Sequence, residues 1–224
     1  MAKGFAVTTR PEFLAAVKAR LLQPIPDNHL RPLETGSGLA EPIRYAVDLS
    51  DLESRFIEAA TGAGAEVVGK PEEDLSAVLE RARDDVRPVR AVVTEDPECE
   101  GVVAILESLD VEVLPAGDPA VVATADLGVT GALGGVALTG SLVMDSGRAR
   151  TRLASLLPEV HVALLARDRI VPTPGDILHN LERWFPGGLP SNVVFVTGPS
   201  RSADIELEIT VGVHGPRRVL IALR

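Results

Sequence analysis

Three turns carry the residues best suited to chemistry, and each lies at the end of an apolar run. Thr139-Gly140-Ser141, followed by Ser146-Gly147-Arg148, sets hydroxyls and unencumbered amides around glycine. Such a turn can hold a carboxylate or a phosphate, and Arg148 can add a bidentate, charge-assisted contact. The same residues also suit an ordinary hairpin turn with a surface arginine. The second turn, Leu156-Leu157-Pro158-Glu159-Val160-His161, places a histidine at the start of an apolar strand. His161 there is either an acid–base group or a core-edge histidine satisfied by a backbone carbonyl. The third, Thr197-Gly198-Pro199-Ser200-Arg201-Ser202-Ala203-Asp204, combines small residues with Ser200, Arg201 and Ser202 as donors to an anion. Arg201 and Asp204 can instead pair with each other. His214-Gly215-Pro216 ends the following strand and either faces the same crevice or is a turn only. The candidates for ligand binding are therefore Thr139, Gly140, Ser141, Arg148, Gly198, Ser200, Arg201 and Ser202. Those for acid–base work are His161, His214 and Asp204.

Several chemistries find no support. The chain lacks a G-x-x-x-x-G-K-[ST] phosphate loop, a G-x-S-x-G nucleophile elbow and an H-E-x-x-H zinc motif. Its single cysteine, Cys99, cannot form an intrachain disulfide or supply the thiolates of an iron–sulfur cluster. The four histidines, at 29, 161, 179 and 214, are scattered, so no metal site is expected. The net charge is −10, which argues against a nucleic-acid partner. That excess sits in residues 48–112. Residues 113–224, which hold every candidate turn, are balanced, and their basic residues are all arginine. The first residues lack a long apolar stretch, and no run reaches about 18 apolar residues. No membrane span and a cytoplasmic location are expected.

The elements that must position these turns follow from periodicity. The chain has 224 residues, 46% of them apolar but only 3% aromatic, so Val, Leu, Ile and Ala must build the core. Thr9, Pro11 and Glu12 start a helix that carries Phe13, Leu14, Val17, Leu21 and Leu22 at helical spacing. A proline-rich connector follows over 23–47. Two regions are expected: an N-terminal helix with its connector over 1–47, and an α/β domain over 48–224. In the latter, helices over 48–60, 71–82 and 97–109 alternate with strands over 66–69, 89–94 and 111–114. This order predicts a Rossmann-like, mostly parallel sheet with helices on its faces. From residue 127 the pattern changes to short strands over 127–132, 135–138 and 141–144 separated by glycine-rich turns. A strand over 161–166, continued by Ile170 and Val171, precedes a helix over 173–185. A buried-type strand over 192–197, a half-buried strand with strict period two over 204–213, and a last strand over 217–223 complete the chain.

The strings 197–206 and 211–216, with Thr139-Gly140-Ser141, Gly147-Arg148 and 156–161 in the same order, resemble the LUD-domain family, and within it the lactate-utilisation protein C group. The resemblance covers roughly residues 120–224. It implies a fold similar to the ribose-phosphate isomerase, glucosamine-phosphate deaminase and CoA-transferase group. It also implies a part in oxidising L-lactate to pyruvate, beside sibling proteins that carry iron–sulfur clusters, with no cofactor on this chain. The family usually has Glu before the Thr-Gly pair, where this chain has Leu138. Asp126, Glu159, Asp204 and Glu206 are the carboxylates that could replace it if the fold brings them there. The alternative is a stand-alone enzyme of that fold, binding a small carboxylate or phosphate metabolite.

Overall fold

A computed structural model describes residues 11, 12, 15, 50–68, 75–84, 90–146, 153–203, 209–212 and 214–224. The chain divides into two units, Met1–Ala46 and Val47–Arg224. In the first, Pro11, Glu12 and Ala15 are helical, and the rest of the expected helix and its connector lies outside the described residues.

The second unit begins with helix α1 (Leu52–Gly62). Asp51 caps it: one carboxylate oxygen accepts from Ser54 N at 3.0 Å and the other from Ser54 Oγ at 2.7 Å. Strands and helices then alternate as β1 (Glu66–Val68), α2 (Leu75–Asp84), β2 (Arg90–Val93), α3 (Val102–Ser108) and β3 (Glu112–Leu114). The short helix α4 (Pro119–Val122) leads into β4 (Leu127–Gly131). The helix expected over 97–109 is broken. Pro97–Cys99 is a 3₁₀ turn, and Gly101, at φ +82°, separates it from α3.

After β4 the chain makes two excursions. The first forms the hairpin β5 (Gly134–Val136) and β6 (Ser141–Asp145) before returning as β7 (Val160–Leu165). The second runs through β8 (Ile170–Val171), α5 (Pro174–Trp184), β9 (Val193–Val196), β10 (Arg201–Ala203) and β11 (Ile209–Val211) before β12 (Arg218–Leu223). The main sheet has the order β1-β12-β7-β4-β2-β3 with every pair parallel. This is the mostly parallel α/β architecture expected from the alternation. The excursions build a second sheet, β8-β5-β6-β9, with β8 parallel to β5 and the other pairs antiparallel.

Burial explains the layering. Every residue of β7 is buried, so its side chains feed cores on both faces of the sheet. Val162 and Leu164 join Val78, Leu79, Val102 and Leu106 beneath α2 and α3. Ala163 and Leu165 join Phe56 of α1 and Leu142 and Met144 of the second sheet. The far face of the second sheet is covered by Ile177 and Leu181 of α5. Thr173 starts α5, with its backbone N and its Oγ1 donating to Asp176 Oδ2 at 2.9 and 2.6 Å.

Three expectations change. Ile170 and Val171 do not continue β7 but pair with β5 in the second sheet. Residues 193–196 are not a buried strand: β9 is an edge strand, and Phe195 stays exposed. The period-two stretch is not one strand. Its described part, β11, folds back on β10, with Ser202 opposite Thr210. Residues 204–208 lie outside the described residues.

Candidate functional site

The β5–β6 hairpin and the end of β9 bring the first and third turns together. The register sets Leu142 opposite Val196, so Ser141 and Thr197 are neighbours. Their hydroxyls meet at 2.7 Å, and Ser141 Oγ lies 2.7 Å from Thr139 Oγ1. Ser141 is buried while Thr139 and Thr197 are exposed. The three therefore form a short chain of hydroxyls that surfaces at both ends. It holds no charge, so by itself it can offer hydrogen bonds to an anion but no Coulombic attraction.

The glycines and the arginine of these turns are engaged with α1. Gly140, at φ +65°, lies against the helix so closely that a Cβ there would stand 2.1 Å from Ala60 N. Gly198, at φ +70°, likewise abuts the Ala63 carbonyl, which a Cβ would approach to 2.3 Å. Arg201 Nη2 donates to that same Ala63 oxygen at 2.9 Å. Its positive charge faces the negative end of the helix dipole. Gly140, Gly198 and Arg201 thus dock one helix end. Arg148 and Asp204 lie outside the described residues, and Ser202 is described only as part of the β10 backbone.

The candidate histidines part company. His161 is wholly buried on β7, and its Nε2 lies 2.8 Å from Thr130 Oγ1. Its partner is a hydroxyl, not a backbone carbonyl. Nδ1 has no hydrogen-bond partner among the described residues. A bare lone pair costs less to bury than a bare N–H, so the proton belongs on Nε2, donated to Thr130. Burial pushes the His161 pKa down to about 4, which keeps the ring neutral. His214 is exposed and lines a cavity of about 550 Å³.

That cavity is where the second turn and the 211–216 string meet. It is lined by Leu153, Leu156, Leu157 and Glu159 from the stretch before β7 and by Gly212, His214, Gly215 and Arg217 from the stretch before β12. Glu159 and Arg217 immediately precede β7 and β12, which are adjacent and parallel. The turn carrying Ser200 borders it: Ser200 N donates to Pro216 O, and Gly212 N donates to Ser200 O, both at 2.9 Å. The cavity therefore lies at the amino edge of the parallel strands. Open α/β sheets ordinarily place ligands at the carboxyl edge. At that opposite edge Asp96 is spent on structure, accepting from Thr94 Oγ1 at 2.5 Å and from Gly131 N at 3.0 Å.

Sequence reasoning missed Thr197 and Arg217. The hydroxyl of Thr197 opens the third string, and Arg217 follows a Gly-Pro turn directly before an apolar strand. Leu138 packs against the cluster of Leu133, Val136, Val143, Ile177 and Leu181. Of the possible substitute carboxylates, Asp126 accepts from Arg90 N at 2.9 Å, and Glu159 pairs with Arg217 at the cavity. Glu206 lies outside the described residues. Among the described residues, no group of three or more His, Cys, Asp or Glu side chains is placed to hold a metal ion. No described helix is long and apolar enough to cross a membrane.

Residues 120–223 match the model of the LUD domain. Lactate utilization protein C of Halalkalibacterium halodurans is 41% identical over 96 residues, which is 42% of this chain and 42% of that protein. Lactate utilization protein C of an Exiguobacterium species is 40% identical over 101 residues, 44% of each. The match spans less than half the length of these relatives. A DUF162 family protein from Deinococcus radiodurans, solved by crystallography, superposes with a TM-score of 0.57 at 20% identity. It covers 79% of this chain and 98% of its own. At that identity the likeness is one of fold.

Proposed function

We propose that this chain, whose residues 120–223 match the model of the LUD domain, serves lactate utilisation as a cytoplasmic subunit or accessory protein. It works beside sibling proteins that carry iron–sulfur clusters and has none of its own. The names of the relatives support the pathway. The observation that carries the accessory role is the setting of Leu138. Where the resembling family usually has Glu, this chain packs an apolar side chain into the α5 core. The adjacent hydroxyls bond one another, and Gly140, Gly198 and Arg201 hold α1. Among the described residues, the Thr139, Ser141 and Thr197 hydroxyls bond one another and no carboxylate.

The test is a clean deletion with growth on L-lactate as the carbon source, paired with purification of the tagged chain from lactate-grown cells. Loss of growth, restored by the gene, and co-purification of iron–sulfur proteins with their broad visible absorbance are expected. Normal growth of the deletion strain would overturn the pathway. Growth loss with no cluster protein in the purified fraction would overturn the partnership.

The alternative, a stand-alone enzyme acting on a small anionic metabolite, draws on one observation: His214 lines a cavity and makes no hydrogen bond to a described residue. It requires turnover by the purified chain alone, abolished by His214→Ala.

A further inference from the structure

Arg169 closes the 3₁₀ turn Arg167–Arg169 and directly precedes β8. Its guanidinium carbon lies 5.3 Å from the centroid of the Trp184 ring, at the C-terminal end of α5. A guanidinium over an indole is held by cation–π attraction, which leaves its N–H donors unspent. Among the described residues, no hydrogen bond or ion pair engages that fork. Other arginines spend theirs. Arg167, two residues earlier, pairs with Glu53, and Arg218 makes a two-pronged pair with Glu66 at 2.5 and 2.6 Å. Arg169 is half-buried, so bulk water replaces the missing acceptor only in part. The Trp184 Nε1–H is buried and has no hydrogen-bond partner either, a cost that the fold carries. Both donor groups of one stacked pair thus lack an acceptor. Gly134 of β5 lies against the pair: a Cβ there would stand 3.0 Å from Arg169 O and 3.6 Å from Trp184 Cη2. The stack is therefore seated on the second sheet.

We infer that the Arg169–Trp184 stack is a binding site for a small oxyanion, with two oxygens of a carboxylate or phosphate on the guanidinium fork. Trp184 orders the fork before the ligand arrives, so little side-chain freedom is lost on binding. The bare indole N–H adds the positive end of its dipole to the same stack. A neutral ligand of the same shape gains no charge-assisted bond and is rejected. Neither Arg169 nor Trp184 lines the cavity at the amino edge of the main sheet. The site is also independent of the lactate-utilisation reading: growth on lactate and anion binding are measured separately, and either can fail alone.

Trp184 is the only tryptophan of the chain, so its fluorescence reads this site directly. The test titrates the purified full-length chain with acetate, inorganic phosphate and acetamide at constant ionic strength, with calorimetry as a second measure of affinity. A saturable change in Trp184 emission with acetate or phosphate is expected in the millimolar range, with acetamide at least about tenfold weaker. The better anion tells a carboxylate site from a phosphate site. Arg169→Gln should weaken binding about tenfold, and Arg169→Lys, which keeps the charge but loses the fork, about threefold. Arg183→Gln, a change to the exposed arginine beside Trp184 in the last turn of α5, should leave affinity within about twofold. Thermal melts check that each variant is folded. If Arg169→Gln fails to fold, Arg169→Lys and the acetamide comparison still decide. The site is refuted if acetamide binds as tightly as the anions, if the Arg169 variants keep the native affinity, or if Arg183→Gln weakens binding as much as Arg169→Gln. It is refuted equally if neither anion saturates by about 100 mM.

Discussion

His161 shows how far one residue's meaning depends on its surroundings. Its place at the head of an apolar strand suited both an acid–base group and a core histidine, and burial with Thr130 as partner decides for a neutral interior ring. Its pKa is about 4 in the folded protein and near 6.5 in an unfolded chain. Between these values the unfolded state binds the extra proton, so stability is intact above pH 6.5 and falls as the pH drops toward 4. The contribution is roughly 3 kcal/mol. Urea unfolding across that window should show a shallower loss for His161→Gln than for the native chain, and parallel slopes would refute the assignment. Cys99 behaves in the same spirit. It is buried, and desolvation pushes its thiol up to about 12. It should resist a disulfide reagent in the folded protein and react at once in denaturant. Leu138→Glu would press a carboxylate against the α5 core and should cost about 1–3 kcal/mol.

The elements explain why two of the three motif turns look like binding loops. A Gly beside hydroxyls suits an anion, but it equally suits a helix brought against a hairpin. Only the approach of Ala60 and Ala63 to Gly140 and Gly198 distinguishes the two uses. Gly140→Ala should therefore destabilise the protein by about 2 kcal/mol or more, and Arg201→Ala by about 1 kcal/mol through loss of the α1 terminus contact. Equal melting temperatures for Gly140→Ala and the native chain would mean that this contact is absent. The misread strands have a common cause. Period two reports that alternate residues face opposite sides, and it holds in both arms of a hairpin as well as in one long strand. The apolar run of β9 reads as buried because composition does not count neighbouring strands, and among the described residues β9 has one.

At the scale of the whole molecule, each described hydrophobic cluster is built from residues of the second unit. A chain of residues 48–224 should thus unfold cooperatively by itself. A broad, non-cooperative melt of that fragment would overturn this expectation. The main sheet was legible because strand–helix alternation with short connections permits few other packings. The second sheet was legible only as separate strands. Its order, β8-β5-β6-β9, joins pieces from two excursions of the chain, and nothing in local periodicity pairs Gly135 with Ile170 or Leu142 with Val196.

The sequence alone determined the α/β class and the strings through which residues 120–223 match the LUD-domain model. These depend on residue type and near-neighbour spacing, which the chain carries locally. Tertiary structure decided which strings meet. Residues 156–159 and 212–217 share a cavity because β7 and β12 lie side by side, although β7, β8, α5 and three further strands separate them in the chain. It also decided which polar groups remain available, since a helix end can take up the same glycines and arginine that an anion would. Long-range pairing and burial set both outcomes, and neither is written in any single stretch of residues.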